Sequence, residues 1–303
     1  VSTAAARLVL PAPRLALPAM LVGSAALAFG PWLVRLAETP PITSAFWRLA
    51  LAVVPLFVLA RLTGGPIRLT AASFGLAALA AAFFAADLAA WHLGIMGTTL
   101  GNATLLANGA TFLLPLWGVV MLGQRLGRPG AAALVLAAIG MALLLGRSAE
   151  LSSANLRGDL LCLLAAVFYT GYLISVDRLR FSLAALPLLA IVSALAAIML
   201  LPAALVFEGG LAVGHWTPVV ALALGSQVFG QGLIVYAISH LRPLVVGLSL
   251  LIQPIISATL GALRYGEVPG PLDLAGALLI AGALVLARLK PMPTPPETRP
   301  PAP

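Results

Sequence analysis

The chain has 303 residues, of which 61 % are hydrophobic and 9 % charged, with a mean hydropathy of +1.09. That composition excludes a water-exposed globular fold, and the apolar runs are continuous and rich in Ala, Leu and Gly, which favours helices over the alternating segments of a β-barrel. The net charge of +8 could point to nucleic acid, but the arginines are spread through short connectors, so they report topology instead; the single cysteine, Cys162, rules out a disulfide framework and reads as buried filler.

Residues 1–16 carry Arg7 and Arg14 ahead of the first apolar run and read as a retained cytoplasmic segment, because that run is long enough to stay as a membrane span. Ten spans are expected: 17–35, 43–60, 73–93, 99–122, 130–146, 160–177, 184–206, 217–238, 244–262 and 271–288. Several contain proline, which membrane helices tolerate when neighbours satisfy the freed carbonyls. The expected organisation is a first five-helix repeat over 17–146, a connector over 147–159, a second five-helix repeat over 160–289, and a Pro-rich tail over 290–303 that cannot form a core. With the N-terminus cytoplasmic, twelve basic residues fall on the cytoplasmic side and four on the other, which places both termini inside.

The most informative stretch lies between Leu69 and Gln124, where only Asp87 and His92 can carry a charge. As one helix it would extend roughly 84 Å against a hydrocarbon core of about 30 Å, so it must fold back, and the turn-like place is 94–99. A weak repeat appears at an offset of about 143 residues: the Gly123-Gln124 helix end falls on Gly266-Glu267, and each is followed by a Gly-punctuated apolar helix. Five spans per half is an odd number, so the second half must enter the membrane upside down. The expected fold is therefore an all-α polytopic membrane protein of ten transmembrane helices in two inverted five-helix repeats, an arrangement characteristic of secondary transporters.

On the segments Phe46–Val53 (FWRLALAV), Asp87–His92 (DLAAWH), Asn102–Asn108 (NATLLAN) and the two helix ends, the chain resembles the EamA-type members of the drug/metabolite transporter superfamily. The resemblance implies an inner-membrane carrier of amino acids, nucleobases, other metabolites or drugs, often an exporter, with a central cavity lined mainly by spans 1, 3, 4, 6, 8 and 9. Two positions depart from the pattern: Gln124 stands where the first repeat usually has Glu, and Thr111 where Pro254 of the second repeat leads one to expect Pro.

Asp87 near mid-span should face protein or water, since an unpaired Asp there costs about 2.5 to 3.5 kcal/mol on insertion scales. It either binds an amine or a proton, with Asn108 orienting the substrate, or ties the hairpin together by a helix-to-helix hydrogen bond. Gly101, Thr104, Asn108, Thr111 and Pro115 form one helical stripe, a cavity wall or a packing seam, and Ser249, Gln253 and Ser257 repeat the pattern in span 9. Gln227 and Gln231 share a face of span 8, while Phe29 with Trp32, and Tyr169 with Tyr172, are aromatic pairs at i, i+3. Aromatic residues such as these, and Trp91 within DLAAWH, are either anchors or walls for a flat substrate. Arg48 either snorkels outward or faces the cavity, pairing with Asp87 in one state and meeting a substrate carboxylate in another. Asp87 and Asn108 are expected to face Gln231 and Gln253 across a midplane cavity.

An embedded enzyme is the alternative class, but the chain has no HExxH, no clustered acids and no Walker motif, so no catalytic residue, metal or cofactor is expected. The expected partners are a small-molecule substrate and the lipid bilayer of a bacterial inner membrane, with no nucleic acid, and the chain acts as a monomer, with a dimer as the alternative.

Overall fold

The computed structural model describes residues 15–63, 70–123, 127–179, 183–238, 241, 249–250 and 252–289, and among them there is no strand. The first apolar run forms α1 (Ala16–Ala28) and α2 (Gly30–Leu36). They break at Phe29 because Pro31, in the first turn of α2, has no N–H to continue the ladder and suits a helix start instead. Helix α3 (Pro41–Thr63) follows, then α4 (Ala71–Gly97), whose start is fixed by a capping box in which Ser73 N–H donates to Thr70 Oγ1 and Thr70 N–H to Ser73 Oγ. The chain turns at Thr98-Thr99 into α5 (Leu100–Ala107) and α6 (Ala110–Leu122), so the expected hairpin bend lies where the sequence placed it.

Helices α7 (Arg128–Leu151) and α8 (Ser153–Leu179) are separated only by Ser152, so most of the stretch expected as a connector, 147–159, is helical. Next come α9 (Ala185–Phe207), then α10 (Trp216–Ala221), a π-helical segment (Leu222–Gly230) and α11 (Gln231–Ile238) in one continuous run. The last two elements are α12 (Ile252–Tyr265) and α13 (Pro271–Leu289). Among the described residues eight helical stretches are long and apolar enough to cross a membrane, and Pro271–Leu286 is a shorter apolar helix. The expected count of ten therefore stands at eight by that measure; much of the start expected for the ninth span, with Gln124, lies outside the described residues. Val54, Val206, Phe207, Leu263 and Leu278 are exposed along the outside, as side chains facing lipid would be. This is an all-helical, multi-pass membrane protein.

The principal contacts are α4 on α8, α3 on α9, α7 on α13, α5 on α12, and α1 on α11 and the π segment. Each joins the chain's first half to its second. Small residues make the close approaches possible. A Cβ on Gly158 would lie 2.6 Å from the Gly97 carbonyl carbon, and one on Gly94 2.6 Å from Cys162 Sγ. Gly140 and Gly276 meet in the same way, with Cβ-to-carbonyl distances of 2.7 and 2.8 Å. Without a hydrophobic drive between helices in lipid, such backbone proximity is what generates packing attraction.

Candidate functional site

Arg48 arises from α3 and is 3 % exposed, deep inside the bundle. Its Nε donates to Gln227 Oε1 at 3.2 Å, and Gln227 Nε2 donates in turn to Ser193 Oγ at 3.4 Å. The guanidinium carbon stands 5.5 Å from the centre of the Trp91 ring, within cation–π range. Asp87 and Tyr169 are close enough to act on Arg48 electrostatically, and Asp87 is 8 % exposed. Arg48 therefore does not snorkel to the surface; α3 turns it inward, where three other elements, α4, α8 and the π segment, meet it. The tyrosines extend the site as a ladder: Tyr169 stacks on Tyr172 at 5.4 Å and Tyr172 on Phe84 at 4.8 Å. Trp91 is held by its Nε1 donating to the Ala103 carbonyl at 3.2 Å.

The cluster carries polar atoms whose hydrogen bonding is incomplete. Among the described residues Arg48 Nη1, Ser44 Oγ and Ser226 Oγ are buried without a partner. Ser226 Oγ lies 3.8 Å from where a Cβ on Gly30 would stand, and the Trp91 ring 3.4 Å from the same point, so the π segment, α2 and α4 converge there. Buried donors without acceptors are costly and are rare in finished packing. In chemical terms the site offers a cation, a carboxylate, aromatic faces and free hydrogen-bonding groups in an apolar surround.

A second polar network closes one end of the bundle. Arg35 donates from Nη1 to Glu267, from Nε to the Ile95 carbonyl at 3.1 Å and from Nη2 to the Thr98 carbonyl. Thr98 Oγ1 donates to Asp159, which also accepts from Ser148 Oγ at 2.6 Å and Asn102 Nδ2 at 3.3 Å. At the same end Glu208 accepts from the N–H groups of Ile42 and Thr43, at 2.8 and 2.7 Å, where α3 begins. Three acids of the second half, Asp159, Glu208 and Glu267, thus complete polar groups of the first.

Residues 156–289 match the family model of the EamA-like transporter family. That stretch, less than half of the chain, is similar to members of that family. No curated protein matches the chain. Sixteen chains of solved structures do. One of them, described only as a crystal structure of a protein, is 18 % identical with a TM-score of 0.61, over 91 % of this chain and 97 % of its own. At that identity the likeness is one of fold.

The fold brings five of the expected site residues together: Arg48, Asp87, Trp91, Tyr169 and Tyr172. The others lie elsewhere. Asn108 and Thr111 line a narrow crevice with Leu105, Pro254 and Ile280, between α5, α6, α12 and α13. Gln253 is buried at the start of α12, Gln231 is half-buried at the start of α11, and Trp32 packs edge-on to Phe29 with Arg264 5.9 Å above its ring. Among the described residues no hydrogen bond or ion pair joins Asp87 or Asn108 to Gln231 or Gln253. The stripe on the fourth span is divided because the helix breaks at Asn108-Gly109, where the bonds tighten to i→i+3, and Gly101 packs on Ala258. Sequence reasoning missed Ser193, Ser226 and Asn102 as polar contributors, and Asp159, whose position beside Gly158 at the entry of an apolar run was the available signal.

Proposed function

We propose that the protein is a secondary transporter that moves a small metabolite, amino acid-like, nucleobase-like or drug-like, across the bacterial inner membrane by alternating access, in the export direction. The observation that carries this reading is the interior Arg48 cluster: a buried guanidinium with one nitrogen unpartnered among the described residues, set between the halves of an apolar bundle beside Asp87 and a tyrosine ladder. Buried ionisable groups in a membrane interior are expensive and mark substrate or ion pathways. In this reading Arg48 receives a substrate carboxylate, Asp87 receives an amine or a proton, and the rings of Trp91, Tyr169 and Tyr172 flank the flat part of the substrate.

Inverted repeats support the alternating-access part. Gly123 and Gly266, both left-handed at φ 63° and 66°, end corresponding helices 143 residues apart. Shifting α3 (41–63) by the same 143 residues gives 184–206, which coincides with α9 to within one residue. Exchanging the halves maps the α4–α8 contact onto that of α1 with the run containing α11, and returns α3–α9, α5–α12 and α7–α13 to themselves. Two halves so related can rock about a shared centre, which is how such carriers expose one site to two sides. Both termini lie in the cytoplasm in this scheme, and the unit of transport is the monomer.

Flux in proteoliposomes, measured across a pH series, tests the assignment of Asp87. Asp87→Asn removes a group able to exchange a proton, so the pH dependence of transport should flatten while the purified protein remains folded. An unchanged rate and pH profile would return Asp87 to a packing role.

A further inference from the structure

We propose that the Arg35–Glu267 ion pair is the latch that holds one end of the transport path shut, and that the path opens at that end when the pair separates. The inference rests on the alternating-access reading and adds the element that alternates. The pair joins the second helix of the first half to the end of α12 in the second, across 232 residues of sequence. Both side chains are 15 % exposed, so solvent screens them only in part.

One residue on each side gathers the whole end of the bundle. Arg35 spends its fork on three acceptors, Glu267, Ile95 O and Thr98 O, while Tyr265 covers its face at 4.8 Å. Glu267 uses its second oxygen to accept from Leu100 N–H at 2.8 Å, an unsatisfied donor at the first turn of α5. The end of α4, the start of α5, α2 and α12 are therefore tied through two side chains, beside the packing of α5 on α12. Ile95 and Thr98 follow Trp91 by one and two turns of chain, which puts the latch about 10 Å along the axis from the Arg48 cluster.

The sequence builds the acid's position with two glycines. Gly266 takes the left-handed φ of 66°, Gly266 N–H donates to Ala262 O and Glu267 N–H to Gly261 O, both at 3.2 Å, so α12 ends in an αL cap. The turn folds Glu267 back over Gly261, where a Cβ would lie 2.2 Å from the carboxylate oxygen. By sequence alone, the positions 143 residues away from Arg35 and Glu267 are Arg178 and Gln124, so the acid occurs in one half only.

Cysteine accessibility tests the latch without requiring a substrate. Ser226→Cys puts a thiol beside Trp91 in the cluster, Glu150→Cys on an exposed helix end identifies the Arg35 face, and Cys162, fully buried, supplies the background rate. A membrane-impermeant maleimide is applied to that face of sealed vesicles holding the full chain. Glu267→Gln, which removes the charge, and Gly261→Ala, which keeps both charges but displaces the carboxylate, should each raise the labelling rate of Ser226→Cys at least fivefold. Arg35→Gln combined with Glu267→Gln should label no faster than either alone. Rates within twofold of the parent for both Glu267→Gln and Gly261→Ala, in protein that elutes as a monodisperse peak, would overturn the latch. Because the readout is access rather than flux, a chain that transports nothing still reports on it, and a failed latch leaves the Arg48 cluster untouched.

Discussion

Gly158→Ala lowers the melting temperature of the purified protein by roughly 2 to 12 °C. The added methyl would sit 2.6 Å from the Gly97 carbonyl carbon, 2.7 Å from Thr98 N and 2.9 Å from Gly94 O. All three are backbone atoms and none can rotate aside, so α4 and α8 must separate along the contact that joins the two halves. Overpacking of this kind costs about 1 to 3 kcal/mol, and for a domain this large each kcal/mol moves the midpoint by about 2 to 4 °C. Gly146→Ala is the control: nothing lies within 4 Å of its Cβ position, and in a helix alanine is favoured over glycine by about 0.8 to 1 kcal/mol, so the melting temperature should hold or rise. Equal midpoints for the two variants in a tryptophan-fluorescence melt would mean that the glycine seam does not set stability.

The second large effect is at Arg48. Arg48→Met leaves Gln227 Oε1 without its donor and leaves Asp87 buried with no compensating charge. Asp87 makes no ion pair or hydrogen bond to Arg48 among the described residues but acts on it electrostatically; leaving one buried charge uncompensated costs on the order of 3 kcal/mol, whereas replacing both groups with apolar or neutral ones costs much less. Arg48→Met and Asp87→Asn should therefore each destabilise the protein, and the double variant should be more stable than the Arg48→Met single. Transport should fall to background in all variants lacking Arg48, including Arg48→Lys, which keeps the charge but loses the fork that serves Gln227 and the face that lies over Trp91. A double-mutant cycle with additive stabilities would show that Arg48 and Asp87 are not coupled.

Much of the fold was legible because lipid imposes a simple rule on sequence. Apolar runs must be helices, and the uncharged stretch around Asp87 could satisfy bilayer thickness only by turning at 94–99, which is where α4 gives way to α5. The inward side chains Asp87, Tyr169 and Tyr172 were legible for the same reason: polar groups at mid-span need company. Other features depend on partners that no local pattern announces. The break at Asn108-Gly109 and the π segment of Leu222–Gly230 follow from what the neighbouring helices present, so span-long stripes drawn on an ideal helix lost their register. Arg35 counted in the sequence as one of the few basic residues on its side, a fact about topology. Its acid lies 232 residues downstream, and only folding brings the two together. Asp159 escaped notice because α8 begins seven residues before the expected span.

The incomplete hydrogen bonding at Arg48 Nη1, Ser44 and Ser226 also has a thermodynamic reading. A ligand that brings acceptors to these groups recovers free energy that the protein alone leaves unrecovered, and it does so only in the folded state. At a hundredfold excess over its Kd such a ligand adds about 2.7 kcal/mol to stability. The chain is accordingly its own detector: a melting screen against amino acids, nucleobases and cationic drugs should rank compounds by how well they supply what the Arg48 cluster lacks, before any flux is measured.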